Sequence, residues 1–89
     1  SPTIGGAKAA NQLLDISGIK ASFVVTAYNN RIYISARSID EVNVQLVMEH
    51  LGGGGHMSIA GAQLNDCTTD KAVDIIKSTL DDMLKESEI

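Results

Sequence analysis

The sequence predicts an α+β fold: a small mixed β-sheet with a β-hairpin, covered by helices in the order helix-strand-strand-helix-strand-helix. Three observations carry this expectation. Apolar residues alternate with period two on both sides of Asn29-Asn30. They recur at helical spacing over 44–51 and again over 73–83. Finally, 89 residues at 44% hydrophobic content suffice for one core, which at 3% aromatic content must be aliphatic.

Taken in order, Ala7, Ala10, Leu13 and Leu14 lie at helical spacing, and Gly18 can end a helix in the left-handed conformation. A short first helix is expected there. From Ile19 to Ala27 the pattern changes: Ile19, Ala21, Phe23, Val25 and Ala27 alternate with Lys20, Ser22, Val24 and Thr26. Asn29-Asn30 tolerates positive φ and suits a tight hairpin turn. In the return strand Ile32, Ile34 and Ala36 point one way, while Arg31, Tyr33, Ser35 and Arg37 point the other. One face of that hairpin therefore presents polar groups.

Ser38-Ile39-Asp40-Glu41 has capping-box spacing, and Asn43 is an equally good cap for a second helix with the inward face Val44, Val47, Met48 and Leu51. That helix runs directly into Gly52-Gly53-Gly54-Gly55-His56. Ser58 to Leu64 is small and apolar enough for a third strand, weakened at Gly61. Thr68 or Thr69 can cap a last helix with the face Val73, Ile76, Leu80 and Met83.

The formal charge is −4, from 7 basic and 11 acidic residues, and the basic ones are scattered. Tight duplex binding needs cations gathered on one face, so long nucleic acid is not the expected partner. Cys67 is the single cysteine, which excludes an internal disulfide and a cysteine-based zinc site. No apolar stretch approaches the ~20 residues that span a bilayer. The chain opens Ser1-Pro2-Thr3 without an initiator methionine, consistent with an excised piece of a longer protein.

Half of the 8 glycines stand consecutively at 52–55. Each costs backbone entropy on ordering. The run reads either as a flexible linker or as a loop whose bare N–H groups approach an anion. It follows a helix, so the nearest dipole end is negative and another group must supply the attraction. His56 at the loop's end and Arg37 on the polar hairpin face can do so, the arginine bidentately. Taken singly, a core histidine and a solvated strand end explain them better. Nucleophile, base and orienter are nowhere assembled, and the two histidines lack metal-ligand spacing.

The string from Gly52 to Gln63 closely resembles the glycine-rich signature of the DHH-associated domain, the C-terminal companion of DHH phosphoesterases. Ser35-Ala36-Arg37-Ser38 with Asn43-Val44-Gln45 resembles the branch that hydrolyses cyclic di-AMP. The resemblance runs from about Ala7 to about Leu84, so residues 1–89 are read as a single substrate-binding domain. One position departs from the pattern: the superfamily often has two alanines before the glycine, where this chain has Ile59-Ala60-Gly61.

The resemblance implies that two manganese ions in a separate N-terminal DHH domain activate a water, while this domain grips the substrate. Gly53, Gly54 and Gly55 would offer backbone donors, His56 would contact a phosphate, and Arg37 would bind phosphate or base with Ser35 assisting. Asn43 is a weaker candidate for a ribose or base. The expected substrate is cyclic di-AMP, hydrolysed to pApA. No catalytic residue or metal is expected in this chain, which would be cytoplasmic and out of direct membrane contact, in a membrane-anchored parent. Two other readings stand beside this one. The first is a companion domain of an oligoribonuclease or single-strand exonuclease. The second is a regulatory or dimerising module in which the glycines only turn the chain.

Overall fold

The structure, a computed structural model, describes residues 10–16, 20–39 and 42–89, the first of these spans as backbone. Seven elements follow one another: β1 (Ala10–Ile16), β2 (Ala21–Tyr28), β3 (Arg31–Ser38), α1 (Val44–His50), β4 (Gly54–Gly55), β5 (Ile59–Asn65) and α2 (Thr69–Lys85). The strands form one sheet in the order β1-β2-β3-β5-β4. The α+β class, the hairpin and the covering helices are as the sequence predicts.

Two expectations are corrected. The segment expected to be a first helix is a strand from Ala10 onward, paired with β2 from Ala10↔Ala27 to Ile16↔Ala21. A helix of about two turns is marginal on its own. Pairing instead satisfies the outer backbone groups of β2, whose other edge is taken by β3. The sheet is also not mixed, since all four ladders are antiparallel. Ala7, Gly18 and Ile19 lie outside the described residues.

The hairpin forms as its sequence dictates. Asn29 and Asn30 have φ of 52° and 62°, and Tyr28 pairs with Arg31 across the turn. Positive φ at both central residues matches the right-handed twist of the strands, and asparagine tolerates it better than most residues.

The core lies between one face of the sheet and the two helices. Phe23 and Val25 of β2, Ile32, Ile34 and Ala36 of β3, and Ala60 of β5 supply the sheet side. Val44, Val47 and Met48 of α1, with Val73, Ile76, Leu80 and Met83 of α2, supply the helix side. Leu51 is only partly buried. Asn43 caps α1, its side-chain oxygen accepting from the Leu46 N–H at 3.3 Å. Ser38 ends β3 instead, while Asp40 and Glu41 lie outside the described residues. Thr68 caps α2 by accepting from the Lys71 N–H at 3.1 Å, and Thr69 is the first helical residue.

Because both helices cover the same face, the other face of the sheet is open. Arg31, Tyr33, Ser35 and Arg37 on β3 and Ile59, Gln63 and Asn65 on β5 are all exposed. An antiparallel sheet packed on one side only produces this inward-apolar, outward-polar alternation.

Candidate functional site

The four glycines have separate structural roles. Gly52 takes φ +86° just past the C-cap Leu51, and its N–H donates to the Glu49 carbonyl at 3.1 Å. The Gly53 N–H donates to the Met48 carbonyl at 2.8 Å. Together these bonds close α1 in a Schellman motif. Gly54 and Gly55 then pair with Gly61 and Ala60 as the edge strand β4.

This accounting corrects the expectation that Gly53, Gly54 and Gly55 jointly offer backbone donors. The Gly53 amide is spent on the helix. The His56 N–H donates to the Ile59 carbonyl at 2.7 Å, which continues the β4–β5 register by one residue. Alternation along an antiparallel ladder then directs the Gly54 amide inward to Gly61 and the Gly55 amide outward to the open edge. One amide of the run, not three, faces away from the sheet.

Local sterics separate the glycines further. A Cβ on Gly53 would collide with the Gly61 carbonyl and lie 2.7 Å from the Ala62 Cα; one on Gly55 would lie 2.6 Å from the Ala60 Cα. Gly55 also holds φ +143°. A Cβ on Gly54 meets nothing within 4 Å.

The register places Arg37, Ser35 and His56 in neighbouring rows of the sheet. Arg37 stands opposite Ile59, and Ile59 opposite His56, so the three form one row across β3, β5 and the start of the β4–β5 turn. In the next row Ser35 stands opposite Gly61, which stands opposite Gly54. Arg37, Ser35 and His56 are all exposed. With strands about 4.8 Å apart, the backbones of Arg37 and His56 are about 10 Å apart. A phosphate-bearing ligand of nucleotide size can bridge that gap.

Asn43 stands elsewhere. It lies at the start of α1, and its side-chain oxygen is committed to the cap. Sequence reasoning marks Ile59 only as a departure from the family pattern, not as a site residue. Its position between Arg37 and His56 depends on strand register, which alternation alone does not reveal.

The turn after β4 is held from two directions. The Val44 N–H, at the first residue of α1, donates to the Met57 carbonyl at 2.9 Å, and the Ser38 N–H donates to the Ser58 carbonyl at 3.0 Å. The His56 loop therefore has a fixed place beside the end of β3. Among the described residues no three His, Cys, Asp or Glu side chains come together as a metal-ligand set. No helix among them is long and apolar enough to cross a membrane.

The domain is a two-layer α+β unit with one packed face, one open polar face and a glycine-built edge. The chain belongs to the DHHA1 domain family, which matches residues 6–86. It is 45% identical over 80 residues to the cyclic-di-AMP phosphodiesterase PdeA of Listeria monocytogenes, covering 89% of this chain and 12% of that protein. It is 46% identical over 77 residues to the cyclic-di-AMP phosphodiesterase GdpP of Geobacillus thermodenitrificans, covering 85% of this chain and 12% of that protein. A shorter match, 40% identical over 60 residues, joins 66% of this chain to 7% of an A-adding tRNA nucleotidyltransferase of Geobacter sulfurreducens. The chain thus spans about one eighth of the length of the cyclic-di-AMP phosphodiesterases it matches.

Proposed function

We propose that this domain is the nucleotide-recognition half of a manganese-dependent phosphodiesterase that hydrolyses cyclic di-AMP to pApA. The bond-breaking chemistry belongs to a separate DHH domain of the same protein, which carries the metal ions. The observation that carries the reading is the single row formed by Arg37, Ile59 and His56 on the open sheet face. Arg37 supplies a forked cation, His56 an imidazole donor, and Gly55 one outward amide; together they suit a phosphodiester better than a metal or a neutral ligand. The names of the relatives at 45–46% identity support the choice of cyclic di-AMP. In this reading the parent protein is membrane-anchored, with the domain on the cytoplasmic side.

Labelled chain titrated with cyclic di-AMP, pApA and a short oligoribonucleotide tests this. The expected result is amide and side-chain perturbation at Arg37, Gly55 and His56 with either dinucleotide. Stronger binding of the oligoribonucleotide would replace the substrate with a short single strand. Perturbation by none of the three would leave a regulatory or dimerising role.

A further inference from the structure

Ile59 is 53% exposed in the middle of an otherwise polar row, between Arg37 and His56. Its alternate neighbours on β5 behave differently: Ala60 is buried and Ala62 packs against the core. Core packing therefore does not explain a large aliphatic side chain at 59. An alanine would serve the exposed strand position equally well. On the β4 side of the sheet the adjacent row is bare, since Gly61 and Gly54 carry no side chains and a Cβ on Gly54 would meet only open space. A planar group can thus lie beside Ile59 without displacing anything.

We infer that Ile59 is a specificity-determining residue that contacts the nucleobase of a ligand whose phosphate is held by Arg37 and His56. The inference rests on the nucleotide-recognition reading and adds a substrate distinction to it. A base-free phosphate ester satisfies Arg37 and His56 but leaves Ile59 in water. A nucleotide covers all three, and burial of the exposed part of an isoleucine strengthens binding.

The test compares wild type, Ile59→Ala and Arg37→Ala by titrating the chain with pApA and with ribose 5-phosphate, following amide shifts up to millimolar ligand. Ile59→Ala should bind pApA roughly three- to tenfold more weakly while its affinity for ribose 5-phosphate stays unchanged. Arg37→Ala should weaken both ligands. Equal loss of both ligands in Ile59→Ala, or no loss of pApA in Ile59→Ala alongside a clear loss in Arg37→Ala, overturns the role of Ile59 alone. Absence of pApA binding by the wild type overturns the role together with the reading beneath it. A thermal melt of Ile59→Ala within about 2 °C of wild type, as expected for a half-exposed position, shows that the fold is kept.

Discussion

The amide of Gly53 donates to the carbonyl of Met48 at 2.8 Å, so the glycine run begins as the cap of α1 and only then becomes an edge strand. A run that looks uniform in the sequence is therefore four different positions.

Alanine substitutions should separate them. Gly52→Ala keeps its space but meets the left-handed conformation, at about 1–2 kcal/mol. Gly53→Ala and Gly55→Ala force backbone apart and should each lose about 1–3 kcal/mol or more. Gly54→Ala should melt close to wild type and weaken nucleotide binding. Chemical denaturation of the four variants checks the order, and a Gly54→Ala protein as unstable as Gly53→Ala would refute it.

Arg37→Ala and His56→Ala should each weaken cyclic di-AMP binding by about tenfold, the lower end for a charge-assisted hydrogen bond because both side chains are exposed. Neither residue contributes to the core, so melting temperatures should hardly move. The Arg37→Ala loss should shrink at high salt, since the phosphate attraction is screened. Calorimetric titration at two ionic strengths measures both effects.

Asn43→Ala should cost about 1 kcal/mol of stability through the lost cap. Its effect on nucleotide affinity should be much smaller than that of Arg37→Ala. A binding loss equal to that of Arg37→Ala, with the melt unchanged, would restore Asn43 to the ligand.

Met48→Ala and Ile76→Ala should each cost about 2–5 kcal/mol, since both side chains are fully buried where the two helices meet the sheet. Met48 should also disturb the loop, because its carbonyl receives the Gly53 amide. Hydrogen exchange at Gly53 would rise in Met48→Ala and stay near wild type in Ile76→Ala.

Much of this fold is legible in the sequence because its periodicities are local. Phe23, Val25, Ile32 and Ile34 alternate as they are buried, and Val73, Ile76, Leu80 and Met83 mark the face that α2 presents to the core. The first segment misleads for a physical reason. Leu13 and Leu14 fit helical spacing, but β2 offers a free edge, and long-range pairing overrides a weak local preference. The strand β4 leaves no pattern at all, since two glycines have no side chains to alternate.

The site is only half legible. Residue chemistry offers Arg37 and His56 as anion donors and the family resemblance adds Ser35; the strand register puts all three on the open face. That Gly53 serves the helix, and that Ile59 stands between Arg37 and His56, depends on hydrogen bonding and register that arise only when the strands meet.

The two ends of α1 hold the two flanks of β4: Val44 at its start holds Met57 after the strand, and Met48 near its end holds Gly53 before it. The helix is thereby a gauge block, setting the span between both anchorages at about 1.5 Å per residue. Adding or deleting one residue inside it would swing its far end by about 100° and release one grip or the other. Length variation in this family should then gather outside 44–57, leaving that stretch constant in length even where its side chains differ.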